Sequence, residues 1–196
     1  MRSTCVRDGG GHEIPRRSVM RKVVLYELLS VDGVAEAPDT FILHFDEVMR
    51  ENLRRVIADQ DAVILGRGTY EEWAAFWPGK EIEPFSSFIN GVRKYVVTST
   101  EPSPWANATV VKDPLDGFLM DLKSQPGGDI GVHGSVTLAQ SLLERGLVDE
   151  LRLVIAPALA ASGRRLFVNP APRRLELTRN VTSPAGYLLV DFRVEK

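Results

Sequence analysis

Several signatures that would settle the chemistry at once are missing. A single cysteine, Cys5, cannot close an internal disulfide, so nothing argues for an oxidising compartment. No apolar run approaches the roughly 20 residues that a membrane helix requires. With 24 Lys and Arg against 26 Asp and Glu, the net charge of −2 leaves no basic footprint for nucleic acid or an anionic bilayer. A cytoplasmic protein, free of nucleic acid and membrane, is therefore expected. His12, His44 and His133 are scattered, there is no Cys pair, and no metal site is expected. Neither a Walker A loop nor G-x-G-x-x-G occurs. A nucleophile elbow around Ser135 would need glycine at 133 and 137, where His133 and Thr137 stand. No histidine follows that serine either, so serine hydrolysis is disfavoured.

What is present fits one globular domain. Hydrophobic residues make up 44% and charged residues 26% of 196, enough to bury a full core. Residues 1–19 are rich in Gly and Arg and lack an apolar h-region, so they read as a flexible N-terminal extension rather than a signal peptide. The domain is expected over 20–196.

Periodicity then alternates along the chain. "RKVVLYELLS" reads as a strand, and "DEVMRENLRRVIADQ" as a helix whose first turn suits Asp46 or Glu47. "DAVILG" is short and wholly apolar, the pattern of a strand buried on both faces of a parallel sheet. Thr69 and Glu72 have capping-box spacing, which predicts a helix beginning at Thr69. "RKYVVTS" and "ATVVK" are further strands, and Asp113 with Pro114 predicts a cap and first helical position. "DIGV" leads through "HGS" into a helix closed by Gly146. "DELRLVIAPAL" is a strand, and "RRLELTRNVTSP" with "AGYLLVDFRVEK" reads as a closing antiparallel hairpin. Strands alternating with helices predict an α/β sheet, mostly parallel, with an antiparallel C-terminal edge.

Three strand-to-helix junctions carry small or hydroxyl residues: "LGRGTYE", "VVTST" and "VHGSVTL". In a parallel sheet these ends share one edge, where ligands settle. Helices starting near Thr69 and Ser135 direct free N–H groups there, and Gly134 permits a phosphate to approach the backbone. Arg67 adds a planar fork suited to a phosphate monoester. Each residue also has a plain structural role: Thr69 and Ser135 as caps, Arg67 as a surface partner of Glu71 or Glu72, and Gly134 as a packing residue.

In order, "LSVDG", "DAVILGRGTYEEWAAFWP", "KYVVTST" and "DIGVHGSVTLAQSLLERGLVDELRLVIAPALAASGRRLF" are similar to the dihydrofolate reductase superfamily. Within it, the chain resembles the C-terminal reductase domain of bifunctional riboflavin biosynthesis proteins, from about Arg21 to Lys196. The resemblance implies a twisted sheet of about eight strands with flanking helices and NADPH across its carboxyl edge. It assigns Gly66, Arg67 and Thr69 to the cofactor's phosphates, Thr98 and Ser99 to the adenosine ribose and its 2′-phosphate, and Gly134 and Ser135 to the pyrophosphate, with Val136 and Thr137 as further cofactor contacts. His133 falls at the nicotinamide end, where packing is the alternative role.

On the substrate side, Ser30, Asp32 and Gly33 match an S-x-D-G turn bordering the active site. Asp32 is either a substrate-facing acid or the turn former before Gly33. Asp46 is the second catalytic candidate and Glu47 a substrate contact, although the carboxylate position of dihydrofolate reductases aligns with Arg50 if no gap is allowed. Ala160 and Ala161 replace a glycine-containing turn of relatives. The implied activity is hydride transfer from NADPH to a pteridine or ribosylamino-pyrimidine type of substrate. The alternative is a nucleotide- or pterin-binding protein without turnover. A homodimer through the apolar closing strands is expected by analogy.

Overall fold

The computed structural model describes residues 20–168 and 172–195, so the expected extension over 1–19 lies outside the described residues. Along the chain run β1 (Val23–Leu29), α1 (Glu47–Ala58), β2 (Gln60–Gly66), α2 (Arg67–Phe76), α3 (Phe85–Gly91), β3 (Arg93–Val97) and β4 (Ala108–Val111). They are followed by α4 (Leu115–Ser124), β5 (Asp129–Val132), α5 (Val136–Glu144), β6 (Glu150–Ile155), β7 (Leu175–Thr182) and β8 (Leu188–Val194). The strands form one sheet in the order β4-β3-β2-β5-β1-β6-β8-β7. Neighbours from β4 to β6 pair in parallel, whereas β8 pairs antiparallel with both β6 and β7. The predicted mostly parallel sheet with an antiparallel C-terminal edge is therefore what forms.

Burial follows sheet position. Residues Ala62 to Leu65 of the interior strand β2 are at most 2% exposed, as expected of a strand covered on both faces. The edge strand β7 is largely exposed. On one face α1 and α3 pack Met49, Leu53, Val56, Phe85 and Ile89 against Tyr26, Val63 and Leu65. On the other, α4 and α5 bring Leu119, Leu122, Leu138 and Leu142 onto Leu25, Ile64, Ile130 and Val132. Among the described residues no helix is long and apolar enough to cross a membrane.

Two local expectations need correction. Helix α2 begins at Arg67, not Thr69, with Gly66 as a cap that makes no side-chain bond. The capping box fails because β2 passes directly into the helix, leaving Thr69 inside the first turn. Helix α4 begins at Leu115, and Pro114 rather than Asp113 is its cap. Helix α3, in a segment without clear helical periodicity, forms under tertiary packing, with Phe85, Ser86 and Ile89 buried. Lys94 closes its end, since the fully buried Nζ donates to the Ile89 carbonyl at 2.8 Å and the Val92 carbonyl at 3.0 Å. Burial pushes that ammonium down to about 8. Ser135 is a helix cap as predicted, with Oγ accepting from the Leu138 N–H at 3.4 Å.

Candidate active site

The parallel strands bring their carboxyl ends to one edge, and two predicted junctions meet there directly. The Gly66 N–H donates to the Gly134 carbonyl at 3.2 Å, tying the end of β2 to the turn after β5. A side chain at Gly66 would collide with Ser135 Oγ. Gly134 has φ of +118°, and a Cβ there would lie 3.0 Å from Thr69 Oγ1. The peptide between Gly134 and Ser135 is cis. Both glycines are thus required by close approach: they are buried, and they pack the end of β2 against the start of α5.

Beside this junction opens a cleft of about 710 Å3 lined by Arg67, Thr98, Ser99, Thr100, Lys112 and Asp113, among others. Arg67 is exposed and makes no salt bridge within 4 Å among the described residues, although its charge acts on Glu71 and, after the bonds from Ser103, helps hold that carboxyl below its usual range. Glu71 instead accepts from the Ser103 N–H at 3.2 Å. Thr98 is 9% exposed, and its hydroxyl accepts from the Thr100 N–H at 3.2 Å, which holds the "TST" turn against the cleft. Lys112 was not singled out in the sequence. It follows the last residue of β4, and only the sheet order brings that strand end next to β3 and Arg67.

A second cavity of about 440 Å3 lies against β1, α1 and α2. Trp73 and Phe85 meet edge to face at 5.3 Å and 83°, and Trp77 meets Phe85 at 5.0 Å, so the wall is aromatic and interlocked. His133 joins it, with ring centroids 5.7 Å from Tyr26 and 5.6 Å from Phe85. Its Nε2 lies 2.7 Å from Gln60 Oε1, a buried side-chain hydrogen bond that fixes the ring's orientation. Burial holds His133 down at about 3, so the imidazole is uncharged throughout the physiological range. Helix α2 connects the cavities: Arg67 at its start faces the polar cleft, while Trp73 and the cap Trp77 form the aromatic wall.

The same wall contains Glu27, 9% exposed, whose Oε1 is buried without a hydrogen-bond partner. Burial pushes its carboxyl up to about 8, so it is protonated at neutral pH. Neither Glu27 nor Tyr26 belongs to a recognisable motif in the sequence. The available signal was one carboxylate inside the otherwise apolar run "VVLYELL".

The substrate-side candidates are placed elsewhere. Asp32 accepts from Ser30 Oγ at 2.7 Å and from the Ala160 and Ala161 N–H groups at 3.0 and 3.2 Å. Those bonds, Ser30 first, hold its carboxyl below the usual range and fasten the turn at Gly33, φ +82°, to the 156–165 loop. Asp46 caps α1, accepting from the Met49 N–H at 2.9 Å and the Ala185 N–H at 3.3 Å. Its burial works upward, yet these bonds keep its carboxyl below the usual range. Glu47 is exposed and pairs with Arg50 at 3.1 Å and Arg54 at 3.0 Å. None of these three lines the aromatic cavity. Val136 is buried in the first turn of α5, and Thr137 is exposed and accepts from Arg164 at 3.2 Å.

The eight-stranded, mostly parallel sheet with its antiparallel edge and flanking helices is a dihydrofolate-reductase-like fold. The model of the RibD C-terminal domain matches residues 21–189, and the chain belongs to that family. It is 26% identical over 182 residues to YyaP of Bacillus subtilis (strain 168), an uncharacterized protein, covering 88% of this chain and 94% of that one. A putative riboflavin biosynthesis protein from Shewanella sp. PV-4 has the same fold, with a TM-score of 0.73 at 16% identity over 90% of this chain and all of that one. A diaminohydroxyphosphoribosylaminopyrimidine deaminase/5-amino-6-(5-phosphoribosylamino)uracil reductase from Thermotoga maritima shares the fold at a TM-score of 0.63 and 13% identity, covering 90% of this chain and 57% of that one.

Proposed function

We propose that this protein is an NADPH-dependent reductase acting on a small heterocycle of the pteridine or ribosylamino-pyrimidine type. The carrying observation is the pairing of a cationic polar cleft with an aromatic cavity across the Gly66–Gly134 junction. NADPH suits these residues, because the cleft beside the Gly66–Gly134 junction gathers the exposed cations Arg67 and Lys112 with the hydroxyls of Thr98, Ser99 and Thr100. Arg67 and Lys112 would hold oxygens of the 2′-phosphate, which Thr98 and Ser99 would flank, and the α5 start at Ser135 would face the pyrophosphate. When bound, the cofactor supplies a hydride to the substrate ring. Trp73, Trp77 and Phe85 orient that ring and exclude water. Glu27 holds a proton at its carboxyl, ready for the atom next to the reduced carbon. The names of the Shewanella and Thermotoga proteins support a pyrimidine-related substrate.

A fluorescence titration with NADPH tests the cofactor half, and absence of binding at millimolar concentration overturns it. Arg67→Ala should weaken NADPH about 10- to 100-fold, the value of a charge-assisted bond, with a much smaller effect on NADH. Equal losses for both cofactors would remove Arg67 from the 2′-phosphate. Binding without turnover is the second reading, favoured because Asp32 and Asp46 are both committed to backbone N–H groups. Oxidation of NADPH with any added heterocycle excludes it.

We also propose a homodimer through the closing strands, where Leu175, Leu177 and Leu188 are 39%, 50% and 44% exposed. Leu177→Lys is expected to convert the dimer to monomer in light scattering after size exclusion. A monomeric unmodified protein would dismiss the interface.

A further inference from the structure

Lys94 has no exposed surface, and among the described residues no carboxylate pairs with it. Burying an ammonium costs solvation that an apolar residue would not lose, so its contacts call for a reason. Besides the two carbonyls at the end of α3, its Nζ lies 4.5 Å from the centre of the Trp105 ring. An indole face at that distance attracts a cation. The carbonyls belong to the helix beside Lys94, whereas the indole belongs to another segment.

That segment is the 98–107 loop between β3 and β4, whose first residues, Thr98, Ser99 and Thr100, line the polar cleft with Arg67. The far part of the loop is held from two helices. From α3, Asn90 Oδ1 accepts from Trp105 Nε1 at 3.0 Å, while Asn90 Nδ2 donates to the Trp77 and Ser86 carbonyls. From α2, the Tyr70 ring meets the Trp105 ring at 5.6 Å, and Tyr70 Oη donates to the Ser103 carbonyl at 2.7 Å. Tyr70 and Arg67 stand three residues apart on α2, so the helix that carries the cation also grips the loop that carries the hydroxyls.

We propose that Lys94 and Trp105 are positioning residues for the cofactor: with Tyr70 and Asn90 they form a bracket that fixes the 98–107 loop beside Arg67 and so sets the preference for a 2′-phosphorylated dinucleotide. None of the four lines the cleft, so the bracket acts through the loop. This rests on the polar cleft being the cofactor half of the proposed reductase.

Titrations with NADPH and NADH, together with amide hydrogen exchange over 98–107 in the ligand-free protein, test it. Trp105→Ala should weaken NADPH at least about tenfold and NADH less than about threefold, because the displaced hydroxyls face only the 2′-phosphate. Lys94→Met, which keeps the bulk of the stem and removes the charge, should weaken NADPH about 3- to 30-fold. Trp105→Phe keeps an aromatic face for Lys94 and loses the bond to Asn90, so it should cost only about 2- to 10-fold. In an Arg67→Ala background, Trp105→Ala should cost less than about threefold, as expected of residues acting on one contact. Exchange over the loop should accelerate at least about tenfold in Trp105→Ala and Lys94→Met. The proposal is overturned if folded Trp105→Ala loses NADPH and NADH equally, or if loop exchange is unchanged in every folded variant. Faster loop exchange in the variants, with no NADPH binding by the unmodified protein, would instead defeat the cofactor reading and leave the bracket standing.

Discussion

Glu27→Gln is expected to slow NADPH oxidation with any accepted heterocycle by about 10²- to 10⁴-fold, the usual contribution of a positioned acid, while NADPH affinity stays the same. The amide keeps the shape and removes the transferable proton. The same variant should gain stability at alkaline pH. In the folded chain the Glu27 carboxyl sits at about 8, against 4.5 for the ordinary side chain. Below the lower value both folded and unfolded chains carry the proton, and the substitution changes nothing on this account. Between the two values the unfolded chain releases the proton and the folded chain keeps it, so stability falls as pH rises. Above about 8 the penalty is complete, on the order of 3–5 kcal/mol for a shift of this size. Melting curves across this range should therefore show the variant diverging upward from the unmodified protein as pH rises. Parallel curves at all pH values would mean that Glu27 is not protonated in the fold. The rate with unmodified protein should also decline above about pH 8, as the proton leaves Glu27.

Gly134→Ala should destabilise the fold by about 1–3 kcal/mol, the cost of placing an L side chain in a sparsely populated backbone region. Its φ of +118° admits glycine readily, and the new Cβ would press on Thr69 Oγ1 at 3.0 Å. Any displacement moves the Gly134 carbonyl off the Gly66 N–H and shifts the start of α5 with it. NADPH affinity is expected to fall by at least about tenfold, because backbone that must face a pyrophosphate is displaced. Gly68→Ala is the matched control. A Cβ at Gly68 meets nothing within 4 Å, and the position lies inside α2, so alanine should be neutral or stabilising by up to about 1 kcal/mol. Thermal denaturation and NADPH titration of both variants make the comparison. Full affinity in folded Gly134→Ala would remove this turn from the cofactor site.

The cofactor edge was more legible than the substrate cavity, and the reason is locality. Gly66, Arg67, Gly134 and Ser135 sit at junctions where a strand stops and a helix starts, and both elements announce themselves by periodicity over a few residues. Even there the cap was misplaced. Thr69 with Glu72 has capping-box spacing, but the approach of β2 to the turn after β5 starts the helix at Arg67. The aromatic cavity draws on β1, α1, α2, α3 and the end of β5, so no short window contains its pattern. In the sequence Asp32 lies in a turn and Asp46 at a helix start, where the resemblance places substrate-side carboxylates. The structure commits both to backbone N–H groups, through contacts to Ala160 and Ala185 more than 120 residues away.

By itself, the sequence determined the alternation of apolar strands and amphipathic helices, the antiparallel ending, the Ser135 cap and the glycine-bearing junctions. These follow from hydrophobic period and local backbone chemistry, which act over a few neighbouring residues. Only the tertiary structure decided that Lys112 stands beside Arg67, that α3 forms, and that Glu27 loses its water and keeps its proton. A carboxyl group's proton affinity depends on what surrounds it in space, and the surroundings of Glu27 are supplied by packing between distant segments.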